Sequence, residues 1–230
     1  MIRRLWLCVL ALSLFTLGRA EAQEYRYELG LGVGTAYYVG DLSPNLWGRQ
    51  APSIAVSLRH LLDLRWSLTT ELGYRRLEGR VAREHTFPTG RTQKFSRGLW
   101  DLAFGGEFNF FPYSDKYRYL LTRSWTPYLG LGVGLALGKG SPTLLITPSL
   151  YGVLGVKYKL SSRVGLSLSW VHRRTFTDRL EITSAEEEWM ADPLRLNRTG
   201  NMKEYDSYGY WSLGVSISLS QSPQRGCNWR

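Results

Sequence analysis

Apolar residues and small or polar residues alternate along most of the chain with a period of two. Residues 129–138, for example, read LGLGVGLALG, with leucine or valine at every odd position and glycine or alanine at every even one. Successive side chains of a β-strand point to opposite faces, so this period indicates strands with one apolar face. The pattern recurs eight times and predicts strands at about residues 27–37, 53–60, 66–77, 99–110, 128–138, 149–159, 164–176 and 208–219.

The predicted strands and their connections fit a membrane barrel. Most of the strands are about ten residues long, which a tilted strand needs to cross the hydrocarbon layer. The connections 61–65 and 160–163 are short, whereas 177–206 is long. An even number of strands joined in this way is typical of bacterial outer-membrane barrels. The sequence therefore predicts an all-β fold, an eight-stranded antiparallel transmembrane β-barrel with short periplasmic turns, longer extracellular loops and both termini in the periplasm.

A soluble, lipocalin-like barrel would show the same alternation with its apolar face inside. The composition of the polar face, mostly Gly, Ala, Ser and Thr, favours a narrow lumen over a solvated surface. Large aromatic residues also gather near strand ends, as they do in the interfacial girdles of membrane barrels. The predicted girdle comprises Tyr37, Tyr38, Trp66, Tyr74, Trp100, Phe110, Phe111, Tyr113, Trp125, Tyr128, Trp170, Phe176, Tyr208 and Trp211.

Isolated charges interrupt the small-residue face and are predicted to point into the lumen. An unpaired charge in that low-dielectric space is costly, so charges of both signs must pair there. We predict an ion-pair network that fills the barrel, formed by Glu28, Arg59, Glu71, Arg75, Asp101, Glu107, Lys157 and Arg173. A selective pore is disfavoured, because the interior of eight strands is only wide enough for side chains.

The start of the chain has the three parts of a secretory signal peptide. Residues 1–4 are basic, residues 5–17 are apolar, and small residues precede a cleavage site predicted after Ala22. We therefore divide the chain into a signal peptide (1–22), a barrel (23–219) and a periplasmic tail (220–230). No apolar run of 18 residues follows, so no spanning helix is expected.

Removal of residues 1–22 lowers the net charge from +10 to +8. A basic balance can indicate nucleic-acid binding, but an exported chain rarely meets nucleic acid. We therefore expect no nucleic-acid partner. The charge indicates affinity for anionic outer-membrane lipid headgroups or for an acidic protein partner, and the alternative is that it is simply solvated.

No residue pattern indicates catalysis or cofactor binding. His60, His85 and His172 lack the spacing of zinc ligands, and the glycine-rich stretches lack that of nucleotide-binding loops. We therefore expect no metal, no cofactor and no catalytic centre. A lipid-modifying enzyme is an alternative, because His172 is predicted on the lipid face near the rim. No serine follows it at a short interval, however, and a nucleophile and its base must be within hydrogen-bond reach.

Three stretches go beyond general barrel character: residues 28–42 (ELGLGVGTAYYVGDL), 107–113 (EFNFFPY) and 153–184, which contains GVLGVKYKLSS and RRTFTDRLEITS. Together they resemble the PorG-like outer-membrane barrels of the type IX secretion system of Bacteroidota. In those barrels Tyr-Tyr-x-Gly-Asp-Leu follows the first strand, Asn-Phe-Phe-Pro ends the fourth and Arg-x-Thr-x-Thr-Asp ends the seventh. The corresponding elements here are residues 37–42, 109–112 and 173–178.

The resemblance implies a non-enzymatic subunit that ties a periplasmic ring, built from a lipoprotein and its partner, to the outer membrane. Cys227 is the one cysteine left after residues 1–22, so it is either a free thiol or half of an intermolecular disulfide. Cations predicted to face the periplasmic partner are Lys116, Arg118, Arg123, Arg225 and Arg230. The alternative function is a stand-alone barrel for envelope integrity or surface ligand binding.

Overall fold

The structure, a computed structural model, contains eight β-strands that confirm the predicted series. It describes residues 27–39, 49–80, 94–114, 121–138, 144–161, 163–177, 180 and 206–219. The strands are β1 (Tyr27–Val39), β2 (Ala51–Leu61), β3 (Trp66–Arg80), β4 (Lys94–Asn109), β5 (Trp125–Gly138), β6 (Leu145–Lys159), β7 (Val164–Thr175) and β8 (Ser207–Ser218). Among these residues, no helix is long and apolar enough to cross a membrane.

The eight strands form one closed antiparallel barrel. Each strand pairs with the next in the chain, and β8 returns to pair with β1 from Glu28↔Ser218 to Val39↔Ser207. Closure leaves no strand edge with unpaired backbone groups, which hydrocarbon could not satisfy. The predicted fold, an eight-stranded antiparallel barrel, is confirmed.

The barrel has two different ends. The connections after β2, β4 and β6 lie at the turn end, together with the start of β1 and the finish of β8. The other connections lie at the opposite end, the loop end. Two turns are fixed by side chains that imitate a backbone turn. Asp63 Oδ1 accepts the amide N–H groups of Arg65 and Trp66, both at 2.6 Å, and Ser161 Oγ accepts that of Val164 at 3.2 Å.

The outer wall of the barrel is apolar. Side chains that alternate outward along the strands are exposed, up to 67% for Leu131 in the middle of β5. This band encircles the molecule and includes Leu29, Leu31, Val33, Ile54, Val56, Leu72, Leu102, Phe104, Val133, Leu135, Leu150, Leu154, Leu168, Leu213 and Val215. A continuous apolar surface of this extent marks contact with lipid rather than with water.

Replacing Leu131 with arginine is expected to destabilise the folded barrel in lipid vesicles by about 2–4 kcal/mol, because it places a charge near the bilayer midplane. The matched control is Leu121→Arg, since Leu121 is 83% exposed in the connection after β4, outside the band. Urea unfolding in lipid vesicles gives the free energy of unfolding of both variants. Equal stability of the two variants would contradict a lipid-facing wall.

The aromatic girdle is only partly as predicted. Trp66, Phe110, Trp125 and Phe176 are exposed at strand ends, and Tyr74, Trp100 and Trp211 are exposed farther along their strands. Five other members are buried, so their assignment to an exposed girdle was wrong: Tyr37, Tyr38, Tyr113, Tyr128 and Tyr208. The alternation explains three of the four errors in the strands, because Tyr38, Tyr128 and Tyr208 occupy inward positions. Proximity to a strand end alone does not determine which way a ring points.

Candidate functional site: a charged and closed lumen

Near the turn end, buried side chains form an ion-pair cluster that joins four strands. Glu107 Oε2 accepts hydrogen bonds from Arg59 Nε at 2.9 Å and from Lys157 Nζ at 2.6 Å. Arg59 Nη1 also donates to Glu28 Oε2 at 2.9 Å, and Lys159 Nζ donates to Glu28 Oε1 at 3.1 Å. We call these five residues the turn-end cluster. Every cation in it has a carboxylate partner, as burial of a charge requires.

Polar and aromatic groups make further contacts with the two lysines of this cluster. Lys157 Nζ donates to Asn109 Oδ1 at 3.2 Å and lies 4.2 Å from the centre of the Tyr128 ring. Lys159 Nζ lies 5.2 Å from the centre of the Tyr113 ring. Tyr113 follows β4 and is held over the turn end, because its amide N–H donates to the Leu64 carbonyl at 3.1 Å. Its buried ring therefore helps to close this end.

A second cluster lies nearer the loop end. Arg75 donates through Nη1 to Asp101 Oδ2 and through Nη2 to Glu71 Oε1, both at 2.5 Å. Arg173 Nη2 donates to the same Glu71 oxygen at 3.1 Å. We call these four residues the loop-end cluster. Its two cations and two carboxylates balance in formal charge.

Two tyrosines of β8 complete the loop-end cluster. Tyr208 donates its hydroxyl hydrogen to Asp101 Oδ1 at 2.5 Å, and Tyr210 donates to Glu71 Oε1 at 2.6 Å. The Arg75 guanidinium also lies 3.7 Å from the centre of the Tyr210 ring. These contacts connect β3 and β4 with β8 across the lumen.

Beyond the loop-end cluster, an apolar plug closes the barrel mouth. It consists of Ala36, Tyr38, Leu77, Leu99 and Leu180, all 0–1% exposed. Asp206 positions the plug, because it accepts hydrogen bonds from the Tyr38 hydroxyl and, at 3.0 Å, from the Leu180 amide.

A cavity of about 60 Å³ separates the two clusters. Arg59 and Glu107 border it on one side, Glu71 and Arg173 on the other, and glycine and serine residues of β1, β7 and β8 line its wall. A polar cavity of this size can hold several water molecules. Because buried side chains lie above and below it, the cavity does not form an open channel along the barrel.

The structure brings all eight predicted lumen residues together inside the barrel, in the two clusters. Residues that also belong to these networks but were not predicted as members include Lys159, Asn109, Tyr128, Tyr208 and Tyr210. Their inward positions in the alternation could have identified them. Of the predicted partner-facing residues, Lys116, Arg118, Arg225, Arg230 and Cys227 lie outside the described residues, as do the proposed signal peptide and most of residues 177–206.

Arg123, the remaining partner-facing candidate, is exposed on a structured extension at the turn end. The chain before and after the undescribed residues 115–120 pairs through the Ser114 amide to the Arg123 carbonyl at 3.2 Å, and through the Arg123 amide to the Pro112 carbonyl at 2.9 Å. The Arg123 guanidinium lies 4.3 Å from the centre of the Phe111 ring. Trp125 packs edge-on against Phe111 at 5.2 Å. The Arg123 side chain is therefore held in place by a cation–π contact with a packed aromatic ring.

His172 lies on the outer wall near the loop end, as predicted. Its Nδ1 is covered by protein and has no hydrogen-bond partner among the described residues. Among the described residues, therefore, no nucleophilic side chain is hydrogen-bonded to His172 Nδ1.

A closed eight-stranded barrel with an apolar outer wall and a charged, filled interior is a transmembrane β-barrel of the bacterial outer-membrane type. No protein-family model and no curated protein matches the sequence.

Solved structures of outer-membrane barrels are similar in fold. Neisserial surface protein A (NspA) is 13% identical, with 84% of this chain and 97% of that chain covered and a TM-score of 0.48. The attachment invasion locus protein Ail of Yersinia pestis is 11% identical, with 86% and 100% covered and a TM-score of 0.49. The N-terminal barrel of Pseudomonas aeruginosa OprF is 11% identical, with 86% and 100% covered and a TM-score of 0.46.

Proposed function

We propose that this chain is a non-enzymatic, non-conducting outer-membrane subunit of the type IX secretion machinery. In this role its turn end faces the periplasm and anchors a ring built from a lipoprotein and its partner. The observation that carries the proposal is the structured extension with Arg123 at the turn end of a closed barrel. A filled lumen leaves the surfaces of the barrel, rather than a channel, for functional contacts.

Charge at the turn end supports contact with an acidic partner. Arg65, Arg123 and Arg163 are all exposed, and each of the three connections at this end carries one of them among its described residues. Arg123 differs from the other two because it lies on the longest of these connections and packs on Phe111. Exposed arginines with a restrained side chain are favoured in protein interfaces, since less conformational entropy is lost on binding.

The stretches behind the family resemblance lie at both ends of the barrel. Tyr38 belongs to the plug at the loop end, and Thr175 Oγ1 donates to the Asp206 carbonyl beside it at 2.7 Å. Asn109 and Tyr113 lie at the turn end, in contact with the lysines of the turn-end cluster. These residues therefore have structural reasons to be present, and the extension between β4 and β5 is the candidate for partner recognition.

Affinity purification of the tagged protein from detergent-solubilised outer membranes tests the proposal. We expect a periplasmic lipoprotein and its partner to co-purify, as identified by mass spectrometry. Parallel purifications with and without reductant, for wild type and Cys227→Ser, test the separate hypothesis that Cys227 forms an intermolecular disulfide with a ring component. Recovery of the barrel alone would instead support a stand-alone role.

The Arg123→Glu variant is expected to lower recovery of the ring components at least about tenfold, because it reverses a charge that would face an acidic surface. Arg163→Glu is the matched control, since Arg163 is exposed at the same end but lies on the short turn after β6. Equal recovery with both variants would exclude the extension as the docking element.

The filled lumen also predicts that the barrel does not conduct ions. In planar lipid bilayers, the purified protein is expected to show no discrete conductance steps, because both clusters and the apolar plug obstruct the lumen. Reproducible single-channel steps from the wild-type protein would contradict the non-conducting role.

A further inference from the structure

Charges are scarce on the outward faces of the strands, and for one of them the described residues contain no counter-charge. Among strand side chains that the structure describes, the outward ionised residues are Arg76, Glu78 and Arg174. Arg76 Nε lies 3.1 Å from Glu78 Oε1 and donates to Ser96 Oγ at 3.0 Å. Arg174 has no such ion pair within the described residues. An arginine at the edge of the apolar wall, with no anion beside it among the described residues, is a candidate for binding an anionic group of a lipid.

Arg174 lies at the rim of the loop end, where lipid headgroups would meet a barrel inserted in a bilayer. It pairs in register with Ser207, which pairs with Val39, so these residues mark the loop ends of β7, β8 and β1. Arg173 and Thr175 on either side point into the lumen and are fully buried, which turns Arg174 outward. A long cationic side chain at this depth can reach a phosphate group.

His172 lies on the same outward face, two residues before Arg174. Because its Nδ1 is covered and has no partner among the described residues, Nε2 is the nitrogen through which the ring can bind a ligand. An imidazole and a guanidinium side by side on one strand form a pair of donors for an anionic oxygen.

An aromatic platform holds His172 in place. The Trp170 indole Nε1 donates to the Tyr37 hydroxyl at 2.6 Å, and the Trp170 and His172 ring centres are 6.2 Å apart. Tyr37 extends across Gly209, where a Cβ atom would come within 2.3 Å of its hydroxyl oxygen. The Trp170 and Tyr37 rings thus restrict each other's movement. This restriction preorganises the neighbouring His172 for binding.

Beside this platform, the wall has a depression. Gly152 is the register partner of His172 on β6, and a Cβ atom added there would meet only the Leu131 Cδ2 atom, at 3.6 Å. A missing side chain in an otherwise continuous apolar wall leaves a shallow apolar recess directly next to a cationic pair. An acyl chain attached to a phosphorylated headgroup would match both features.

We infer that His172, Arg174 and the Gly152 recess form a binding site for lipid A. A phosphate of the glucosamine headgroup is held by the Arg174 guanidinium and His172 Nε2, and one acyl chain lies in the recess. The choice of lipid A over a glycerophospholipid rests on the proposed outer-membrane location, in which the loop end lies in the outer leaflet. Binding to the purified barrel requires no secretion component, so its failure is distinguishable from failure of the secretion proposal.

Native mass spectrometry of the purified full chain, mixed in detergent with equimolar bisphosphorylated lipid A, tests the inference. We expect one retained lipid A per barrel for the wild type, and loss of retention when the lipid A has first been dephosphorylated. Retention of phosphatidylglycerol to the same extent as lipid A would overturn the assignment.

The variants Arg174→Gln and His172→Gln are each expected to lower retention about tenfold, as removal of a charge-assisted hydrogen bond predicts. Gly152→Leu is expected to lower lipid A retention, because the leucine side chain fills the recess. Arg174→Lys is expected to keep part of the retention, because it preserves the positive charge. Arg76→Gln is the matched control, because this outward arginine already has Glu78 as its partner. Unchanged retention in Arg174→Gln, or equal loss in Arg76→Gln, would refute a defined site.

Discussion

Replacement of Glu107 by glutamine is expected to destabilise the folded barrel by about 3–5 kcal/mol. Glutamine keeps the size of the side chain but removes the charge that Arg59 and Lys157 share. Both cations are buried, and Glu28 is then the one carboxylate left in the turn-end cluster for three cations. The midpoint of urea unfolding in lipid vesicles, followed by tryptophan fluorescence, measures the loss.

The matched control is Glu78→Gln, which removes an outward carboxylate paired with Arg76 and Arg49. Because the side chains of the two arginines are about half exposed, we expect a loss of stability below about 1 kcal/mol. The double variant Glu107→Gln with Lys157→Met should recover part of the stability, since it removes one of the stranded cations. A Glu107→Gln barrel as stable as the control would show that the lumen ion pairs contribute little.

Replacement of Gly34 by alanine is expected to prevent most of the protein from forming a closed barrel. A Cβ atom at this position would lie 1.8 Å from the Trp211 carbonyl oxygen and 2.8 Å from its carbon. Both are backbone atoms of the paired strand β8, so no side-chain rotation can relieve the overlap. We expect a loss of at least about 3 kcal/mol. Unheated electrophoresis, in which folded and unfolded barrels migrate separately, gives the folded fraction.

Gly106→Ala provides the control for this substitution. Gly106 faces outward on β4, and a Cβ atom added there would meet nothing within 4 Å. This variant is expected to fold to the same extent as the wild type. If Gly34→Ala also folded fully, the close approach of β1 and β8 described here would be wrong.

The sequence predicted the strands because their pattern is local. In β5, leucine and valine alternate with glycine and alanine, and no knowledge of the partner strand is needed to assign the two faces. The same alternation placed the eight charged residues on the lumen side. Strand ends were less well predicted, most of all at the start of β4, where the alternation is weak.

The pairing inside the lumen could not be predicted in this way. Tyr208 and Asp101 are 107 residues apart, and their contact depends on how the strands are staggered around the barrel. The plug depends on Leu180 and Asp206, which lie between β7 and β8 and belong to no alternating segment. Tyr37 was placed on the correct face, but its burial arises from Trp170 and from the absence of a side chain at Gly209.

Closure between the first and last strands has a consequence for the order of folding. Seven of the eight seams join neighbours in the chain, whereas β1 and β8 can meet only after almost the whole barrel sequence has been synthesised. The contacts of Tyr208 with Asp101 and of Tyr210 with Glu71 also wait for β8. Until then Asp101 and Glu71 lack these hydrogen-bond donors, and two strand edges are open. The slow pairing of β1 with β8 and the hydrogen bonding of Asp101 and Glu71 therefore occur in the same step. Insertion should proceed as a single late, cooperative step without a stable partly zipped sheet in the bilayer.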